Sequence, residues 1–214
     1  MRYTNIIFDL DGVLVFTDRY HYIAWKTIAD RFGLPFDETI NNRLRGVSRM
    51  ESLEIILSYS AKHFSESEKK ALAEEKNDIY RGLLQKLSPK SVESETIHTL
   101  EKLRDSGLGL AIGSSSKNAE YILHKTGIAH FFCAVACGLK ITKSKPDPEV
   151  FLLAAKLLNS NPKDCLVIED AQSGIEAACN GGFDSVGIGD AYSSSQATYK
   201  IKSLKDLHKI IILA

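Results

Sequence analysis

Asn5-Ile6-Ile7-Phe8-Asp9-Leu10-Asp11-Gly12 is a short apolar run that stops on two carboxylates two residues apart. A run this brief is too short for a core helix and suits a strand buried on both faces. Runs of the same kind recur at Leu108–Gly113, Cys133–Cys137, Cys165–Ile168 and Ser185–Ile188. Helix-length stretches lie between them: Val92–Asp105 before Ser106-Gly107, Lys117–Thr126 before Gly127, Pro148–Leu158, and Ser173–Asn180 before Gly181-Gly182. Glycine just past a periodic stretch is a helix stop. Strands alternating with helices predict a doubly wound, Rossmann-like parallel α/β sheet, whose ligand crevice lies outside the C-terminal ends of its strands.

One region breaks the alternation. From about Phe16 to Leu84 the pattern is helical throughout, with no strand-like run, and that is too long for a single crossover. The expectation is an inserted all-helical cap over residues 16–87, with the catalytic core formed by 1–15 and 88–214 and linkers near Leu14–Thr17 and Lys86–Val92. Ser48-Arg49-Met50-Glu51 fits the S-x-x-E capping box, so a helix should begin there with Arg49 in its first turn.

Composition narrows the function classes. The 214 residues carry 27 Lys+Arg against 27 Asp+Glu, so a chain whose task is to coat nucleic acid or an anionic membrane is excluded, and any basic site is local. No apolar run approaches the ~18 residues of a membrane span, and the start of the chain reaches acidic residues too soon for a signal-peptide core. The four cysteines, Cys133, Cys137, Cys165 and Cys179, form no C-x-x-C pair and no zinc spacing. They read as buried free thiols, which suits a reducing cytoplasm and a monomer acting on a small molecule.

The chemistry-bearing residues fall at strand ends. Asp9 and Asp11 follow the first strand, and Ser114 follows the second, just before a helix start near Lys117-Asn118, where anions bind well. Lys143-Ser144-Lys145-Pro146-Asp147-Pro148 sets a lysine before an Asp N-cap and a Pro at the first helical position. Val167-Ile168-Glu169-Asp170 ends another strand on a second acidic pair, whose repulsion a Mg²⁺ ion would relieve. Each feature alone also fits turn or cap chemistry; together they fall on the same edge of one sheet.

The ordered set DLDG, SSSKN, KSKPDP and IED resembles the haloacid dehalogenase superfamily of phosphoryl-transfer enzymes. Within it, His21 and Trp25, Leu44–Leu53, Lys76-Asn77 and Ser114–Asn118 are similar to the bacterial β-phosphoglucomutases. That resemblance implies Asp9 as nucleophile and Asp11 as general acid and base. It implies a Mg²⁺ site of Asp9, the backbone carbonyl of Asp11, Glu169 and Asp170, directly or through water. Ser114, Ser115 and Lys145 would hold the transferring phosphoryl group. Arg49, Ser116, Lys117 and Asn118 would hold a second phosphate. His21 and Lys76 would contact the sugar or align Asp11, with Trp25 beside them and Gly46 and Val47 lining the sugar pocket.

An ionised aspartate, of ordinary pKa ~3.9, needs no base to attack phosphorus. The implied reaction interconverts β-glucose 1-phosphate and glucose 6-phosphate through an aspartyl phosphate and β-glucose 1,6-bisphosphate. A phosphatase of a small sugar phosphate is the alternative, and a non-catalytic phosphate or metal sensor a third. Two positions depart from the resemblance: Phe16 stands where relatives commonly carry an acid before the Thr, and Arg45 where many mutases have Lys. Both are expected to be peripheral to the phosphorus chemistry.

Overall fold

A computed structural model describes residues 2–213. The chain runs β1 (Asn5–Phe8), α1 (Asp18–Arg31), α2 (Glu38–Asn42), α3 (Arg49–Leu57), α4 (Glu66–Leu84), α5 (Ser94–Asp105), β2 (Gly109–Ser114) and α6 (Ala119–Thr126). It continues through β3 (Ala134–Cys137), α7 (Glu149–Leu157), β4 (Cys165–Glu169), α8 (Gln172–Asn180), β5 (Asp184–Gly187), β6 (Tyr199–Lys200) and α9 (Leu207–Leu213). The six strands form one parallel sheet in the order β3-β2-β1-β4-β5-β6. The order reverses beside β1, where doubly wound sheets open their ligand crevice.

Burial on both faces explains the apolar strand sequences. Ile6 and Phe8 pack with Leu100, Leu103, Ile122 and Leu123 of α5 and α6. Ile7, pointing the other way, packs with Val150, Phe151, Ala154 and Ala177 of α7 and α8. Phe8 pairs with Ile112 of β2 on one side and Ile168 of β4 on the other. The register therefore delivers Asp9, Ser114 and Glu169 together at the C-terminal edge.

The helical cap α1–α4 has a core of its own, in which Trp25, Ile28, Leu53, Ile56 and Leu72 are buried. Capping boxes start α3 at Ser48 and Glu51 and α4 at Ser65 and Glu68. Tyr80 and Leu84, near the end of α4, join the sheet-side core instead. One helix thus spans the two packing units.

Several details differ from expectation. Pro148 is the N-cap of α7 and Glu149 its first residue, although Asp147 still caps by accepting from the Glu149 amide at 3.0 Å. The helix after Ser114 starts at Ala119. Strand β6 and helix α9 were not anticipated. Cys137 and Cys165 are buried, but Cys133 and Cys179 are exposed. Cys133 precedes the edge strand β3, and Cys179 falls off the stripe of α8 that buries Ile175, Ala177 and Ala178.

Candidate active site

The expected site residues line one cavity of about 370 Å³ between cap and sheet edge. At its floor, Lys145 is 1% exposed and donates to Asp9 Oδ1 at 2.5 Å and to Glu169 Oε1. The second Glu169 oxygen accepts from the Ala171 amide at 2.8 Å. Asp11 accepts a short hydrogen bond from the hydroxyl of buried Thr17, at the N-terminus of α1. Gly12 turns the chain between them with φ +91°, and a Cβ there would lie 2.1 Å from Asp170 Oδ2.

The electrostatics are those of anions crowded out of water. Burial pushes Asp9 up to about 7, and Glu169 and Asp11 add to the rise while Lys145 opposes it. Asp170 is pushed up to about 9, by burial first and then by Glu169 and Asp9, with Arg45 opposing. Burial also raises Asp11, to about 6, against the Thr17 hydrogen bond. For Lys145 burial pulls downward, but Asp9 and Glu169 outweigh it and hold the ammonium above its ordinary value. Burial and the neighbouring carboxylates therefore hold Asp9 above the ordinary carboxylate value, while the Lys145 ammonium beside it favours the ionised form.

That crowding tests whether a metal fits. The donors near Asp170 are hard oxygens of crowded, buried carboxylates, so a small divalent cation would find its preferred ligands here. Among the described residues no group of three or more His, Cys, Asp or Glu side chains is arranged to hold a metal ion by itself. Mg²⁺ tolerates this, because it keeps waters and takes phosphate oxygens. Both Glu169 oxygens are engaged, by Lys145 and by the Ala171 amide, whereas Asp9 gives one oxygen to Lys145; Asp9, Asp170, the Asp11 carbonyl and, directly or through water, Glu169 are the groups that would hold such an ion.

The loop after β2 is a run of side-chain turns: the Ser116 amide donates to Ser114 Oγ at 3.1 Å and the Asn118 amide to Ser116 Oγ at 3.2 Å. Ser115 Oγ is buried in the same cavity without a partner among the described residues, a polar atom suited to an incoming anion. On the cap side, Arg49 donates to Asn77 Oδ1 at 2.8 Å and Asn118 donates to the same oxygen at 3.0 Å. Lys117, close by, is exposed. A third group sits deeper: Lys76 Nζ is 2.8 Å from His21 Nδ1 and 4.7 Å from the Trp25 ring centroid.

Cap and sheet edge meet at Arg45-Gly46. Ser173 Oγ donates to the Arg45 carbonyl at 3.0 Å, and Gly46, with φ +75°, leaves room for that hydroxyl. Val47 continues the cavity wall. The Arg45 guanidinium pairs with Asp18, with Asp190 at 2.7 Å and with Asp170 at 3.6 Å. Arg45 is thus not peripheral, as expected from sequence, but faces the acidic floor. Phe16 is 58% exposed on the linker, away from the cavity lining. Sequence reasoning also passed over Asn77, Tyr80 and Thr17 as site residues, because an Asn, a Tyr and a Thr in helical or linker context carry no spacing signature.

Comparison with known proteins finds relatives over most of the chain. The family model described as haloacid dehalogenase-like hydrolase matches residues 6–188. The chain is 39% identical to the β-phosphoglucomutase of Bacillus subtilis over 204 residues, covering 94% of this chain and 90% of the relative. It is 32% identical to a phosphorylated carbohydrates phosphatase of Thermotoga maritima, over 85% of this chain and 82% of the relative. Among solved structures, a β-phosphoglucomutase from Clostridium difficile superposes with a TM-score of 0.92 at 38% identity, covering 99% of this chain and 96% of that one.

Proposed function

The chain belongs to the haloacid dehalogenase-like hydrolases, and within that family we propose that it is a Mg²⁺-dependent β-phosphoglucomutase. It interconverts β-D-glucose 1-phosphate and glucose 6-phosphate through an aspartyl phosphate on Asp9 and a β-glucose 1,6-bisphosphate intermediate. What supports this reading is one cavity that carries cationic and hydrogen-bond-donor side chains at two ends. Asp9, Lys145 and Ser114 stand at one, and at the other Arg49 from the cap and Asn118 from the core converge on the single oxygen of Asn77. Hydrolysis needs only the first end; a bisphosphate that must be held in either orientation needs both.

Asp9 attacks phosphorus, forming the acyl phosphate bond as the bond to the sugar oxygen breaks, and Asp11 delivers the proton that oxygen needs. In the second half-reaction Asp11 takes the proton from the other sugar hydroxyl, whose oxygen displaces Asp9. Lys145, Ser114 and Ser115 hold the transferring group, so that positioning and charge stabilisation do most of the catalysis. Bound Mg²⁺, held by Asp9, Asp170, the Asp11 carbonyl and, directly or through water, Glu169, would offset the repulsion between carboxylate and phosphate, about 4 kcal/mol per charge pair at 4 Å and an effective dielectric of ~20. His21, Trp25, Lys76, Gly46 and Val47 line the sugar, and Arg49, Ser116, Lys117 and Asn118 bind the distal phosphate, where arginine can make paired hydrogen bonds. No helix among the described residues is long and apolar enough to cross a membrane, and the free thiols suit a reducing cytoplasm.

The test supplies β-glucose 1-phosphate, Mg²⁺ and a trace of the bisphosphate, and follows glucose 6-phosphate and free phosphate separately. Glucose 6-phosphate as the main product is expected. Free phosphate as the main product would overturn the mutase reading in favour of a sugar-phosphate phosphatase, which the similarity to the Thermotoga phosphatase supports as the second reading.

A further inference from the structure

Tyr80 carries a polar atom that the rest of the fold does not use. Its side chain is 1% exposed, yet its hydroxyl has no hydrogen-bond partner among the described residues. The ring is held firmly: it stacks on His21 with centroids 4.0 Å apart at 29°, and Lys76 Nζ lies 4.8 Å from its centroid. So fixed, the hydroxyl lies beside Thr17 and Asp11 on the wall of the cavity. Thr17 already donates to Oδ1 of Asp11, which leaves the second carboxylate oxygen and the Thr17 lone pairs as acceptors. A buried tyrosine hydroxyl without a partner is costly, and the cost is relieved only in a state where it finds an acceptor.

We propose that Tyr80 is a positioning residue for Asp11: in the substrate-bound state its hydroxyl donates a hydrogen bond into the Thr17–Asp11 pair and fixes the direction of the Asp11 carboxyl group. The inference rests on the reading of Asp11 as proton donor given above. Tyr80 touches no reacting atom; it acts through the group that does.

Tyr80→Phe keeps the ring, its stack on His21 and its face toward Lys76, and removes only the oxygen. Phosphorylation of Asp9 by β-glucose 1,6-bisphosphate requires a proton on the leaving sugar oxygen, whereas p-nitrophenyl phosphate expels a phenolate that leaves without one. Rapid-quench rates from both donors, for wild type, Tyr80→Phe, Asp11→Asn and the double variant, separate the possibilities. Tyr80→Phe is expected to slow transfer from the sugar phosphate about tenfold, the scale of one hydrogen bond, with the concentration dependence unchanged. It should leave the nitrophenyl donor within about twofold and add little to Asp11→Asn, as coupled residues do. An unchanged rate from the sugar phosphate overturns the proposal, as does an equal loss from both donors, the mark of a disturbed fold. If the wild-type enzyme passes phosphate to water instead of sugar, the mutase reading fails while the comparison of leaving groups still decides the role of Tyr80.

Discussion

Lys76 Nζ lies 2.8 Å from Nδ1 of His21, with the lysine only 3% exposed. An ammonium has donors and no acceptor, so the ring nitrogen accepts and the histidine carries its proton on Nε2. Burial and then the neighbouring Arg49 push Lys76 down to about 7, with Asp11 opposing, while burial, Lys76 and Arg49 hold His21 well below its ordinary value. Among the described residues Lys76 has no salt-bridge partner, only a neutral ring and two aromatic faces. In the proposed reaction it would be the partner of an oxygen-rich ligand.

Burying that cation costs stability. The Lys76 ammonium titrates lower in the fold than in the unfolded chain, so between pH 10.5 and about 7 the unfolded state binds the extra proton. Stability therefore falls as the pH drops through this window, and the full penalty is present below it. Lys76→Met, which removes the charge at similar volume, is expected to raise stability by roughly 2 kcal/mol near pH 6 and by much less above pH 10.5, with turnover of the sugar phosphate lost. Urea unfolding at the two pH values checks it; a gain of equal size at both would remove the assignment.

Asp9→Ala is expected to abolish the acyl phosphate altogether. Asp11→Asn should still bind sugar phosphate while kcat drops by about 10²–10⁴, the usual contribution of a positioned acid or base. Acid-quenched label on the protein and steady-state kinetics distinguish the two variants, and ordinary turnover in either would contradict its assigned role.

Arg49 and Asn118 share one acceptor, Asn77 Oδ1. Arg49→Lys loses the paired geometry of guanidinium on phosphate. The expected outcome is a KM about tenfold higher, on the scale of one charge-assisted hydrogen bond, and a larger share of free phosphate, because the distal end no longer retains the bisphosphate. Measuring both products in one reaction tests this; a raised KM with no change in the product ratio would place Arg49 outside the distal phosphate site.

Arg45 links the cap to the core through Asp190, whose side chain is 62% exposed, and pairs within the cap with Asp18, 36% exposed. Pairs this open to water contribute little, so Arg45→Ala should lower stability by less than about 1 kcal/mol. The cap should nevertheless part from the core more often, seen as a larger radius of gyration in X-ray scattering and mimicked in the unaltered protein by high salt. A scattering profile identical to wild type would show that these ion pairs do not hold the cap.

The parallel sheet was legible because each strand is buried on both faces and reads as an uninterrupted apolar run, as in Ile6-Ile7-Phe8 against Ile112 and Ile168. Two-residue β6 has no such run. The acidic and serine-rich strand ends were legible for a related reason: polar residues directly after a buried strand stand where the sheet stops. Arg45 was misjudged because its partners, Asp18, Asp170 and Asp190, are far apart in the chain. Nothing in the local spacing of Asn77 or Tyr80 distinguishes them from ordinary helix residues.

From its sequence alone this protein determined an alternating apolar pattern, the carboxylates at its strand ends and the helical insertion, because periodicity and turn chemistry are local properties. Only the tertiary structure decided what those groups feel: that Lys145 lies between Asp9 and Glu169, that burial raises Asp9 above an ordinary carboxylate, and that Tyr80 joins Asp11 on one cavity wall with its hydroxyl unpartnered among the described residues. Burial and Coulomb interactions depend on distance through space, and no spacing along the chain encodes that distance.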